Sequence, residues 1–338
     1  MDLHIFWFVL MGVLMAGYAV LDGFDLGVGI LHLTARTDLE RRVHLNAIGP
    51  IWDGNEVWLV VFGGALFAAF PHAYATAFSA FYLPFMALLF ALIFRAVSIE
   101  FRSKHEARAW RASWDVAFWA ASMLATFLFG VAVGASMRGL PIGPDREFQG
   151  TVLDLIQPYP LLVGLLAVAT FAMHGAIYLY LKTEGELQKR SHGLMWTTYG
   201  LFLVFYMFTT IATLALHRPA LRNFEDHPWA WGVVLLNVLA IANIPRAIYQ
   251  GRPFYAFLSS AATIAAFTFL FGIALYPNMM VSSLNPDWNL TVYTAASSEK
   301  TLTIMAWIAL LGMPFVLSYT AVIYWVFRGK VELGKFSY

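Results

Sequence analysis

Long apolar runs alternate with short polar connections along the whole chain. At 1.5 Å per residue, about 20 apolar residues in a helix cross the hydrocarbon of a bilayer. Nine runs reach that length, near 5–32, 52–72, 76–98, 114–136, 160–181, 194–216, 229–248, 254–276 and 302–327. The pattern predicts an all-α polytopic membrane protein with nine transmembrane helices. No linker or short-period repeat divides it, so residues 1–338 read as a single transmembrane domain. The first run lacks the basic flank of a cleavable signal and is read as a retained helix. The two longest connections, at about 137–159 and 277–301, are rich in Pro, Gly, Asn and Asp. The second carries amphipathic residues suited to the membrane interface. Ser297 or Ser298 is placed to cap the last helix, with Glu299 in its first turn.

An odd helix count puts the termini on opposite sides, and the basic residues orient them. With the N-terminus outside, the inner segments carry Arg36, Arg41, Arg42, Arg102, Lys104, Arg108, Arg111, Lys182, Lys189, Arg190, Arg246, Arg252, Arg328, Lys330 and Lys335. The outer segments carry Arg138, Arg146, Arg218, Arg222 and Lys300. Arg95 lies within a helix. Bacterial inner-membrane proteins concentrate Lys and Arg in cytoplasmic segments, so the bias predicts a periplasmic N-terminus and a cytoplasmic C-terminus.

Composition agrees. The chain is 60% hydrophobic and 12% charged, where soluble domains are roughly 25% charged; its partner over most of its surface is lipid. A net charge of +1 gives no reason to expect nucleic acid, and the absence of cysteine excludes disulfides, thiolate metal sites and redox thiols.

Charges at membrane depth are the candidate chemistry, because such groups are costly and usually functional. Asp22 and Asp25 lie in "AVLDGFDLGVGIL" (19–31), and Asp53 and Glu56 in "GPIWDGNEVWLVVFGGALF" (49–67). Both are i,i+3 pairs, each able to share a helix face. With Arg95 they gather in the inner half of the first three helices. Crowded carboxylates in low dielectric do not all ionise readily, and a carboxyl poised in this way loads and releases protons. The functional reading is a proton path from the cytoplasm. The bland reading is that Arg95 neutralises one acid while the others cap helix ends or bind a partner's backbone; Asp53, before Gly54, is a candidate N-cap. Residues and spacing leave both open. Gly23, Gly27 and Gly29 follow no strand and read as sites of close helix packing, not as a phosphate loop. His174 is the one histidine well inside a helix. Hydrogen-bonded packing is the commoner role for such a residue and metal ligation the rarer, so no metal ligand and no catalytic residue is assigned to the chain itself.

The stretches "GYAVLDGFDLGVGIL", "GPIWDGNEVWLVVFGGALFAAFP", "FYLPFMALLFALIFRAVSIEFRSK" and "ASSEKTLTIMAW" occur in order, and together they resemble subunit II of bacterial cytochrome bd-type quinol oxidases over essentially the whole chain. The resemblance implies two four-helix bundles plus one peripheral helix, packed beside a similar subunit I as a pseudo-symmetric heterodimer in the inner membrane. Subunit I would hold the haem b and haem d groups and oxidise quinol. The complex would reduce O2 to water with protons taken from the cytoplasm. This chain would then serve proton delivery and stability, with room for a structurally bound quinone and for a small single-helix accessory subunit. Asp25 and Asp53 match acids of the family's proton path. Asp22 and Glu56 fall beside them and Arg95 is a charge partner. Trp58 matches a tryptophan near the subunit interface, where the resemblance implies the start of a hydrophobic oxygen route, the ring itself serving packing. Two other classes remain: a proton-coupled secondary transporter using the same carboxylates, and a purely architectural subunit.

Overall fold

The structure, a computed structural model, describes residues 2–217 and 219–334. Arg218 and Lys335, both used above to orient the chain, lie outside the described residues.

Helix α1 (Leu3–Leu31) starts at Asp2, whose carboxylate accepts from the backbone N–H of His4 and Ile5. It runs into a 3-10 turn at His32–Thr34. Thr37 caps α2 (Asp38–Ile48), a short amphipathic helix. Next come α3 (Trp52–Ala69), α4 (Pro71–Ala80), α5 (Tyr82–Phe101), α6 (Arg108–Arg138), the single turn α7 (Val152–Leu155), α8 (Pro158–Lys182) and α9 (Gly185–Leu216). The chain ends with α10 (Pro219–Asp226), α11 (Ala230–Tyr249), α12 (Pro253–Leu275) and α13 (Glu299–Val326). Proline opens α4, α8 and α12, where its missing N–H costs no helical hydrogen bond. Ser298 is the cap of α13, its hydroxyl accepting from Thr301 N–H, with Glu299 in the first turn as expected.

Among the described residues, eight helices are long and apolar enough to cross a membrane: α1, α5, α6, α8, α9, α11, α12 and α13. The second expected span, α3, is not among them. It is 18 residues long, and Asp53, Asn55 and Glu56 fall in its first two turns. The expected span at 76–98 also differs. Phe70 leaves helical conformation (φ −134°, ψ 63°) and Pro71 restarts the chain as α4; a second departure at Phe81 (φ −98°, ψ 19°) ends α4, so the spanning helix α5 begins only at Tyr82. Helix α9 starts at Gly185 rather than 194, since a polar sequence stays helical outside the lipid where an apolar-run criterion does not see it.

Helix α1 is the hub. It packs on α3, α6, α8 and α12, and its last third is wholly buried. It meets α8 backbone to backbone: a Cβ on Gly27 would lie 2.0 Å from the Phe171 carbonyl oxygen, and one on Gly175 would lie 2.3 Å from the Gly27 carbonyl carbon. At one end of the bundle the two long connections join. Leu140 N–H donates to Val281 O, and a small antiparallel pair, β1 (Asn278–Met280) with β2 (Leu290–Thr291), covers the helix ends. The 277–301 segment is therefore folded, not an irregular connection. The other end gathers most of the basic residues. There Asp115 of α6 accepts from His32 Nε2 (2.6 Å), Arg41 (2.8 Å) and Arg102 Nε (2.5 Å), and Arg102 also reaches Asp38 (2.7 Å). Arg190 of α9 pairs with Glu40 of α2. Beside them, Lys182 donates to the carbonyls of Phe327 and Gly329 while Lys330 donates to that of Thr183. These reciprocal bonds fasten the end of α13 to the end of α8.

Candidate functional site

The last third of α1 brings Asp22 and Asp25 to the centre of the bundle, where both are completely buried. Their partners differ. Arg95 of α5, equally buried, donates Nη1 to Asp22 Oδ2 (2.8 Å) and Nη2 to Asp22 Oδ1, a bidentate pair that uses both oxygens. Asp25 receives nothing from Arg95. Its Oδ2 accepts from the amide of Asn55 on α3 (2.7 Å), and its Oδ1 has no hydrogen-bond partner among the described residues. The same amide nitrogen of Asn55 also donates to Leu21 O (3.3 Å), and its Oδ1 accepts from the hydroxyl of Tyr324 on α13 (2.8 Å). Phe24, between the two acids, stacks on Tyr178 of α8 at 4.1 Å, and Tyr178 donates to Ala47 O (2.8 Å).

The second acid pair is split by the face it occupies. Glu56 is half-buried, while Asp53 sits on the exposed side of α3 beside the exposed Val57 and Val60. Asp53 does not cap its helix, because the N-cap position is Ile51 and Asp53 lies one residue inside the first turn. Trp58 turns inward and lies against α1 at Gly17, where a Cβ would come within 2.5 Å of the indole. It also lines an apolar opening of about 390 Å³ between α3 and α13, with Asn55 and Tyr324 in the same wall.

Sequence reasoning missed Asn55, Tyr324 and the Asp115 network. Asn55 stands between two singled-out acids in "WDGNEVW", and Asp115 is an acid at the edge of an apolar run; either could have been flagged on those grounds. Tyr324 gives no signal in a helix end full of aromatics.

His174 is buried and stacked on Phe257 at 4.7 Å, with Nδ1 against Ser260 Oγ (2.7 Å) and Nε2 against Val20 O (3.1 Å), so both ring nitrogens are engaged. The opening between α3 and α13 contains one sulfur, Met313, and no histidine.

With this geometry in hand, comparison with known proteins identifies the family. The sequence profile described as cytochrome bd terminal oxidase subunit II matches residues 3–327. The chain belongs to that family. It is 35% identical to cytochrome bd-I ubiquinol oxidase subunit 2 of Escherichia coli strain K12, over 97% of this chain and 95% of that one. It is 36% identical to cytochrome bd ubiquinol oxidase subunit 2 of Bacillus subtilis strain 168, over 98% and 97%. In fold it is similar to a chain in the structure of bd oxidase from Geobacillus thermodenitrificans, with a TM-score of 0.80 at 17% identity, covering 97% of this chain and 99% of that one. The protein is thus a multi-pass inner-membrane subunit of a bd-type oxidase, an oxidoreductase complex in which a subunit I accompanies it and haem is implied. The transporter reading is set aside.

Proposed function

We propose that this subunit delivers protons within a quinol-oxidising, O2-reducing complex whose haem b and haem d groups sit in subunit I. Asp25 is the carboxyl that loads and releases the proton. Asp53 and Glu56 feed it from the cytoplasmic side, and Asp22 with Arg95 is the fixed charge pair beside it. One observation carries the reading: of two acids one turn apart, Asp22 is fully neutralised by Arg95, while Asp25 is buried with Oδ1 unpaired. A buried polar atom left without a partner is costly and calls for a reason; transient protonation supplies one.

The same reading counts α3 as a ninth span, which puts the N-terminus outside and the basic end in the cytoplasm. It groups α1, α3, α5 and α6 in one bundle and α8, α9, α11 and α12 in a second, with α13 outside both. Trp58 and the apolar wall between α3 and α13 suit a dissolved gas, so the oxygen route is assigned there. A structurally bound quinone and a single-helix accessory subunit remain compatible with the exposed apolar faces.

The test is quinol-driven O2 uptake by the purified complex with its haem spectrum intact. Asp25→Asn keeps the shape and removes the proton; turnover drops by about 10²-fold, the usual scale for losing a positioned proton carrier. Unchanged turnover in a fully assembled Asp25→Asn complex makes the acids architectural.

A further inference from the structure

Asn55 holds its amide in one orientation, and the reason lies in its neighbours. Leu21 O only accepts, and it lies 3.3 Å from the amide nitrogen that also faces Asp25 Oδ2 at 2.7 Å. The nitrogen must therefore be on the α1 side. The carbonyl oxygen then faces the Tyr324 hydroxyl, 2.8 Å away, which donates to it. Tyr324 is itself held in register by the lysine clasp that ties 327–331 to the end of α8. Most of α13 is otherwise exposed.

We propose that Tyr324 and Asn55 form a positioning relay that fixes which oxygen of Asp25 carries the proton. The inference rests on the proton role proposed for Asp25. With the amide locked as a donor, Oδ2 is held as an acceptor, and the proton is taken up and released at Oδ1. The relay positions and does not conduct. An amide passes a proton only through its imidic acid tautomer, so the path to Oδ1 does not run through Tyr324. Both members are positioning residues, and α13 reaches the reactive carboxyl through them. The titratable and charged groups that act on Asp25 are Asp22, Glu56, Arg95, Tyr178 and Tyr324. Of these, Tyr324 is the one hydrogen-bonded to Asn55.

The experiment uses the whole oxidase complex, with assembly checked by its haem spectrum. The Asp25 carboxyl band is assigned in reduced-minus-oxidised infrared difference spectra by its loss in Asp25→Asn, and turnover is measured against pH. Tyr324→Phe keeps the ring and removes the donor to the Asn55 carbonyl, leaving the amide held by Leu21 O and Asp25 alone and weakening it as a donor. It is expected to move the Asp25 band and to shift the pH profile of turnover upward by roughly half a unit to one unit, because a weakened donor favours the carboxylate less. The position of the profile on the pH axis, not the height of its plateau, is the readout. In an Asn55→Ala background Tyr324→Phe adds no further shift, since coupled residues are not additive; if that background does not assemble, Asn55→Ser replaces it.

An unmoved band and profile in Tyr324→Phe overturn the relay, and so does an equal shift without Asn55. Collapse of turnover at every pH overturns it too, by making Tyr324 a conductor. An Asp25→Asn complex with normal turnover and no lost band removes the proton role itself, and the relay with it. That result is visible in the Asp25 variant alone.

Discussion

Arg95 gives both terminal nitrogens to Asp22 and none to Asp25, although the two acids lie one turn apart on α1. All three side chains are completely buried. Removing one partner of such a pair strands the other charge, at about 3–5 kcal/mol. Asp22→Asn and Arg95→Gln are therefore each expected to lower the thermal stability of the detergent-solubilised complex sharply. The double variant recovers part of the loss. Asp25→Asn breaks no ion pair and leaves the melting temperature near that of the parent, which separates the ion-paired acid from the unpaired one.

Asp115 holds His32, Arg41 and Arg102 together where α1, α2, α5 and α6 meet. Asp115→Asn removes the negative charge that two guanidinium groups share, leaving Arg102 with Asp38 and Arg41 without a carboxylate. The expected loss is again about 3–5 kcal/mol, read as weaker protection of residues 38–48 in hydrogen exchange. Turnover per assembled complex is unchanged, because no member of this network touches Asp25.

Acid stability has two partly overlapping windows at the basic end. His44 of α2 is buried with Nδ1 unpartnered, and burial, with His32 nearby, pushes its pKa from 6.5 down to about 3. The unfolded chain takes up a proton there that the folded chain refuses. Stability is therefore full above pH 6.5 and falls as the pH drops toward 3. The Arg190 guanidinium against Glu40 lowers that carboxyl from 4.5 to about 2, so its contribution is present above pH 4.5 and is lost as the pH drops toward 2. In melting curves taken against pH, His44→Leu flattens the upper window and leaves the lower one. Glu40→Gln does the reverse.

How much of this was legible in the sequence depends on which physical rule wrote each feature. Lipid demands long apolar runs, so most spans could be read directly, and the buried acids stood out by their cost. The end of α3, the α4–α5 break and the start of α9 were less legible. Helix ends answer to Pro71, the departures from helix at Phe70 and Phe81 and water-exposed polar residues, none of which follows apolar run length. The division of labour between Asp22 and Asp25 was beyond the sequence: i,i+3 spacing puts both on one face, and only the reach of Arg95 from α5 decides which is neutralised. Asn55–Tyr324 joins residues 269 positions apart, a pairing that no local pattern encodes.

The α1–α8 crossing sets the last prediction. Gly27 and Gly175 allow the two backbones to touch, and the contact lies on the stretch of α1 that holds Asp25 two residues away. A methyl on Gly27 meets Phe171 O at 2.0 Å and Gly175 N at 2.8 Å, backbone atoms that no side-chain rotation can move aside. Gly27→Ala must push the helices apart, at an overpacking cost of about 1–3 kcal/mol or more. The push also tilts Asp25 relative to Asn55, so turnover drops together with stability. Gly193 of α9, with nothing within 4 Å of its Cβ position, is the control. Gly193→Ala keeps both, and a Gly27→Ala complex that matched it in melting temperature and O2 uptake would show that the crossing yields without consequence for the site.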